Sequence, residues 1–157
     1  MPKRIQKTWG WELVICNSEK YCGKLLLLEN GKTSSLHYHN QKHETFHVLE
    51  GECFIEVNGK TWRGKPGLTL VIEPGVPHRF YREWENPEPQ GFCKILEVST
   101  FHSDEDVVRI KPSGNVPGSL RYERITKTVP APHSEMGRTE DKVIRQGVAN
   151  APECVNQ

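Results

Sequence analysis

The chain has 157 residues, 21 Lys plus Arg against 20 Asp plus Glu, a formal net charge of +1 and 35% hydrophobic residues. The length suits one domain with a core of real size. The near-neutral balance, with basic residues scattered, argues against nucleic acid or an anionic membrane as partner.

The opening Met1-Pro-Lys-Arg-Ile-Gln-Lys lacks the apolar stretch of a secretory signal, and the longest apolar run, Leu25 to Leu28, is far too short to span a bilayer. A cytoplasmic protein is expected. The five cysteines, Cys16, Cys22, Cys53, Cys93 and Cys154, are odd in number and nowhere spaced as C-x-x-C. They read as free thiols, with Cys53 and Cys93 packed as small hydrophobes.

The first two-thirds of the chain predicts an all-β fold, with short apolar runs separated by turn residues at close spacing. The expected strands are Glu12–Cys16, Tyr21–Glu29, Ser34–Tyr38, Glu44–Glu50, Glu52–Val57, Lys60–Arg63, Leu68–Glu73, His78–Tyr81 and Phe92–Ser99. Asn58-Gly59 predicts a two-residue hairpin turn and Gly51 another tight turn, while Pro66-Gly67 and Pro74-Gly75 punctuate the chain further. Trp84–Gln90, with Pro87 and Pro89, reads as a loop. After Arg109 apolar residues thin out and Pro and Gly interrupt the pattern. Residues 1–109 are expected to form the barrel. Residues 110–157 are expected to be an irregular C-terminal extension packed on it or on a partner subunit, with Tyr122–Val129 a candidate extra strand.

Chemistry concentrates in the middle. His37 and His39 lie two apart on an expected strand, so both imidazoles point to one face. Glu44 opens the next strand after a short turn and can lie beside them. Glu73-Pro-Gly-Val-Pro-His78 brings a further imidazole on a turn held by two prolines. Three neutral imidazoles and one carboxylate suit one divalent transition metal, Zn, Mn, Fe, Ni or Co, better than Ca or Mg.

The spacing Gly31-x5-His37-x-His39-x4-Glu44-x6-Gly51 resembles the first cupin motif at every fixed position. Residues 73–78 resemble the second, with Glu73 in place of its first Pro and Arg82 near the place of an Asn that often follows. The resemblance implies a double-stranded β-helix, or jelly-roll, barrel with the metal inside on His37, His39, Glu44 and His78.

Over most of residues 8–109 the chain also resembles the type II mannose-6-phosphate isomerase domain and related small cupin sugar isomerases. The features are Thr8-Trp9-Gly10, Tyr21-Cys-Gly-Lys24, Asn30-Gly31-Lys32, Ser35-Leu36, Gly75-Val-Pro-His78-Arg79, Leu96-Glu97-Val98 and Asp104-Glu-Asp106-Val-Val-Arg109. His37 stands where those isomerases often have Gln, and Asn40-Gln41-Lys42 where they have a basic, His-rich run.

This second resemblance implies an aldose–ketose isomerase acting on a sugar or sugar phosphate by enediol chemistry, with Glu97 or Glu44 shuttling the proton. Glu97 lies in an apolar strand and is either an interior base or a rim residue paired to a cation. Lys24 either orients a phosphate or hydroxyl or sits on a solvated outer face. A non-haem iron dioxygenase and a non-enzymatic sugar-binding or regulatory cupin are the competing readings.

By parity Tyr38 points away from the two imidazoles and His47 away from Glu44, so both are expected to pack. Phe46 and Val48 share Glu44's face and Phe80 that of His78, as cavity walls. His43 falls in a turn, and His102 and His133 carry no motif. Asp104, Asp106 and Arg109 read as a closing loop making a local ion pair or a dimer contact. Exposed sheet edges, the N-terminal segment and the tail point to a homodimer.

Overall fold

Alternation of buried and more exposed side chains organises the strands at residues 10–17, 22–28, 44–50, 53–57 and 93–99 of the computed structural model, which describes residues 1–83, 91–117, 128–129 and 143–146, the last two segments by backbone alone. The strands run β1 Lys3–Lys7, β2 Gly10–Asn17, β3 Cys22–Leu28, β4 Lys32–Thr33, β5 Leu36–His39, β6 Glu44–Glu50, β7 Cys53–Val57, β8 Lys60–Gly64, β9 Thr69–Ile72, β10 His78–Tyr81 and β11 Cys93–Ser99. A 3-10 turn, Asp104–Asp106, leads into β12 Val107–Lys111, followed by β13 Gly114–Asn115, β14 Thr128–Val129 and β15 Val143–Gln146.

One sheet has the order β1-β2-β3-β11-β6-β9-β15. The other runs β12-β5-β10-β7-β8-β14, with β4 joined to β10 and β13. Pairing is antiparallel except that β14 and β15 lie parallel to β8 and β9. Leu26, Leu28, Phe46, Leu70 and Ile95 from the first sheet meet Ile55, Val57, Trp62 and Phe80 from the second in one core. No helix among the described residues is long and apolar enough to cross a membrane.

The nine strands expected from the sequence appear within a few residues of their predicted ends. Two additions position the site. β1 turns back on β2 to form an N-terminal hairpin, and β12 pairs along β5 as an edge strand. Neither has the apolar alternation that marks a strand, because each exposes most of its side chains. Of Tyr122–Val129, Thr128–Val129 forms a strand and the remainder lies outside the described residues, as do Trp84–Gln90, His133 and Cys154. Cys16, Cys22, Cys53 and Cys93 are free thiols.

Interior polarity divides along the strands. β3, β11 and β6 are apolar inward at one end, with Leu28, Cys93 and Val48. At the other end they carry Lys24, Glu97, Ser99 and Glu44, all buried.

Asn58 (φ 50°) and Gly59 (φ 75°) both take positive φ, as the expected hairpin turn between β7 and β8 requires. Gly10 has φ +140°, and a Cβ there would stand 2.0 Å from the Leu27 carbonyl oxygen. Only glycine allows β2 to approach β3 this closely at the start of the strand that carries Glu12. Gly10→Ala should therefore destabilise the protein by about 3 kcal/mol or more. Gly59→Ala, which meets open space, should cost about 1–2 kcal/mol from backbone strain alone. Urea unfolding midpoints check the difference.

Candidate metal centre

His37 and His39 point inward from β5. His78 opens β10 directly opposite His37 in the antiparallel ladder. The turn before it is fastened at both ends, by the Gly75 N–H donating to the His39 carbonyl at 2.7 Å and the Asn58 N–H donating to the Pro77 carbonyl at 2.8 Å. The three imidazoles gather with ring centroids 4.5 Å (His37 to His78), 5.2 Å (His37 to His39) and 5.8 Å (His39 to His78) apart. One ring nitrogen from each lies within 4.8 Å of the others.

Two of the rings are oriented from behind. His37 Nδ1 lies 2.8 Å from the Ser35 carbonyl and His78 Nδ1 2.9 Å from the Val76 carbonyl. A carbonyl only accepts, so these nitrogens carry the protons and leave Nε2 as a lone pair. His39 Nδ1 stands 3.5 Å from the Asp106 carboxylate.

Burial pushes the His37 imidazolium pKa down to about 4, with help from neighbouring His78, and that of His39 down to about 3. Burial also opposes charge on His78, but the Glu44 carboxylate and the Val76 carbonyl outweigh it and hold its pKa above the usual value.

Glu44 stands beside the imidazoles and brings an additional partner. Its Oε1 lies 2.8 Å from His78 Nε2 and 3.7 Å from His39 Nε2, while its Oε2 accepts from Lys42 Nζ at 2.6 Å. Burial acts to raise the Glu44 pKa, yet His78 and Lys42 keep it well below the usual carboxylate range. Lys42 is 3% exposed. Its ammonium also binds Glu97, and although burial disfavours the charge, Glu97 and Glu44 raise its pKa. Lys24 stands 3.8 Å from Glu97 and 4.0 Å from Glu12. A buried chain of alternating charge therefore runs Glu12, Lys24, Glu97, Lys42, Glu44, His78.

The residues present fit a divalent ion. Glu44 Oε1 and His78 Nε2 are buried 2.8 Å apart. Two electron-rich atoms crowded in this way, beside the Nε2 lone pair of His37 and the imidazole of His39, are what a shared cation would satisfy. The donor set of imidazole and carboxylate favours a transition metal over Ca or Mg.

The cluster opens on a cavity of about 320 Å³, at the small end of the ~300–1,000 Å³ usual for small-molecule sites. Lys24, Lys42, Glu44 and Glu97 form its polar wall, and Phe46, Phe80, Leu26 and Trp9 its apolar one. Glu97 and Lys24 both face the interior, which excludes a rim position for the first and an outer-face position for the second.

Tyr38 pairs with Val108 on the face away from the imidazoles, and His47 Nδ1 lies 2.7 Å from the Thr69 hydroxyl oxygen, both as parity predicts. His43 contacts Glu73 at 3.2 Å near the surface. His102, which carries no motif, lines the cavity.

Lys42 escaped the sequence reading, and Asp106, expected in a closing loop with a local ion pair or a dimer contact, has other partners. Lys42 looked like part of a turn, although its spacing of two from Glu44 places it on the same face. Asp106 accepts from the backbone N–H groups of Asn40, Gln41 and Lys42 at 3.1, 3.0 and 3.0 Å. No local pattern announces a contact 66 residues away.

Lys42→Met would leave two buried carboxylates without their ammonium. Removal of one partner from a buried ion pair costs roughly 3–5 kcal/mol. We expect a loss on that scale for the metal-free protein, read from urea unfolding.

Residues 24–88 match the cupin domain family. The chain is 30% identical over 70 residues to the HTH-type transcriptional regulator PuuR of Escherichia coli strain K12, a match covering 45% of this chain and 35% of the regulator. It therefore spans about a third of the length of the curated relatives it matches. Among solved structures it resembles Streptomyces PAC13 with uridine (TM-score 0.60, 11% identity, 75% of this chain and 88% of that one). It also resembles Bacillus subtilis oxalate decarboxylase (TM-score 0.57, 16% identity, 69% and 30%) and KdgF from Halomonas sp. (TM-score 0.52, 16% identity, 60% and 81%). The two facing antiparallel sheets are a cupin β-barrel, and the matched domain contains His37, His39, Glu44 and His78.

Proposed function

We propose that this cupin is a metal-dependent enzyme catalysing an aldose–ketose isomerisation of a sugar or sugar phosphate, its ion held by His37, His39, His78 and Glu44 Oε1. The observation that supports this most is the position of Glu97. Its carboxylate faces the cavity onto which the imidazoles open and is joined to Glu44 through the Lys42 ammonium. A bound divalent ion would supply positive charge to polarise a carbonyl oxygen.

The chain's own groups supply the rest. Glu97 takes the proton from the hydroxyl-bearing carbon next to the carbonyl and returns it to the former carbonyl carbon, while the hydroxyl proton passes to the former carbonyl oxygen. Lys42 and Lys24 hold the Glu97 carboxylate in place, and Lys24 donates to a substrate hydroxyl or phosphate. The apolar wall of Phe46, Phe80 and Leu26 limits water around the transferred proton. The likeness to oxalate decarboxylase and to Pac13, a nucleoside dehydratase, supports an enzymatic reading at the level of fold only. Similarity to a transcriptional regulator favours a second reading, a metal-loaded sensor that binds a sugar without turning it over.

His37→Ala and His78→Ala each remove an imidazole. Loss of an outer partner costs roughly 10–100-fold in metal affinity, so loss of a ligand should cost more, whereas His47→Ala should retain metal. Metal analysis of the purified variants checks this, and full occupancy in the double variant would overturn the ligand assignment. Glu97→Gln should lower the isomerase rate about 10²–10⁴-fold while retaining the ion. Solvent deuterium should enter the substrate at the carbon next to the carbonyl during turnover by the unaltered protein. Sugar binding with no turnover under any of the five candidate metals would favour the sensor.

A further inference from the structure

The cavity's cations are unequally partnered. Lys7 Nζ lies 3.2 Å from Glu12 Oε1, Lys24 lies between Glu12 and Glu97, and Lys42 between Glu44 and Glu97. Arg109 also lines the cavity, yet it has no carboxylate or hydrogen-bond partner among the described residues.

Its placement is fixed by register. On the edge strand β12, Val107 stands opposite His39 and Arg109 opposite His37. Directly opposite residues of an antiparallel pair project to the same face, with Cα atoms about 4.5–5.5 Å apart. The guanidinium is therefore on the imidazole face, at the exposed mouth of the cavity. A ligand of a few carbons can reach from it to the Nε2 atoms. Asp106 anchors this strand by binding the backbone of residues 40–42. The nearby cavity carboxylate, Asp104, is exposed and turned to His102, 3.5 Å away.

A guanidinium offers a planar fork of N–H donors matched to carboxylate or phosphate oxygens. We infer that Arg109 receives an anionic group, a carboxylate or phosphate, on a small substrate whose other, oxygen-bearing end faces the imidazole cluster. The inference rests on reading this cavity as a substrate site. It does not depend on isomerisation as the reaction, and it makes Arg109 the residue that selects charged over neutral sugars.

The test uses the full chain loaded with Zn²⁺, titrated calorimetrically with glucose 6-phosphate, gluconate and glucose. At least one anionic probe should bind about tenfold or more tighter than glucose. Arg109→Gln should lose that margin with zinc content and urea midpoint unchanged, and Arg109→Lys should recover part of it. Which anion keeps the margin in the unaltered protein separates phosphate from carboxylate. Three results overturn the inference: no anionic probe binds, glucose binds as well as the anions, or Arg109→Gln keeps the preference. Because binding is read without turnover, a protein that selects anions through Arg109 but isomerises nothing would sink the proton-transfer reading and leave this inference standing.

Discussion

The Lys42 ammonium is the constraint on which the interior depends. β6 and β11 carry Glu44 and Glu97 inward on neighbouring strands, with Glu44 opposite Ser99 and Glu97 opposite Phe46. Two carboxylates enclosed so close together would repel and lack solvation. Lys42 binds both, and its own burial is tolerable because both are charged. Glu44 is thereby held with one oxygen committed to Lys42 and the other turned to the imidazoles. A carboxylate divided in this way can offer a cation one oxygen and not two, which keeps space around the ion for other ligands. Lys42 in turn keeps its place because Asp106 gathers three successive backbone N–H groups of its turn. The metal cluster and the cavity mouth therefore share an anchor, since Asp106 lies next to the edge strand that carries Arg109.

Such a chain of charges is an expensive interior. Buried ion pairs contribute little net stability, because desolvation cancels much of their attraction. The fold compensates by segregation. Leu28, Val48, Cys53 and Cys93 close the other end of the barrel with apolar side chains that are almost wholly removed from water. Burial of apolar area there stabilises the sheets that hold the polar end in register. The site can thus be rigid without being intrinsically favourable.

Much of the fold was legible because β-strands with one buried face announce themselves by alternation, and the turn residues that separate them have few other uses. The imidazole cluster was legible for the same reason: a spacing of two on one strand, and a proline-held turn ending at His78, fix directions and not merely residue types. The environment of Glu44 was only half legible. Parity placed it beside the imidazoles, but nothing in the spacing said that Lys42 would compete for it, although the same parity applied two residues earlier. Glu97 and Lys24 were readable as inward or outward with equal ease, since alternation fixes relative faces and not which face is inside. β1 and β12 escaped because exposed edge strands lack an apolar signature. The partners of Asp106 escaped because they are distant in sequence and are backbone groups, which carry no residue code.

The boundary of the matched domain has a physical meaning for function. Residues 24–88 hold every candidate ligand of the ion together with Lys42 and Lys24. Glu97 comes from β11, Glu12 and Trp9 from the N-terminal segment, and Arg109 from β12, all outside that span. The part of the chain that matches the cupin domain family therefore contains every candidate ligand of an ion. Of the proposed substrate groups, Lys24 lies at the start of that span, while Glu97 and Arg109 come from strands outside it. Likeness to proteins as different as a decarboxylase, a nucleoside dehydratase and a transcriptional regulator is what such a division produces. The barrel itself is compatible with all three.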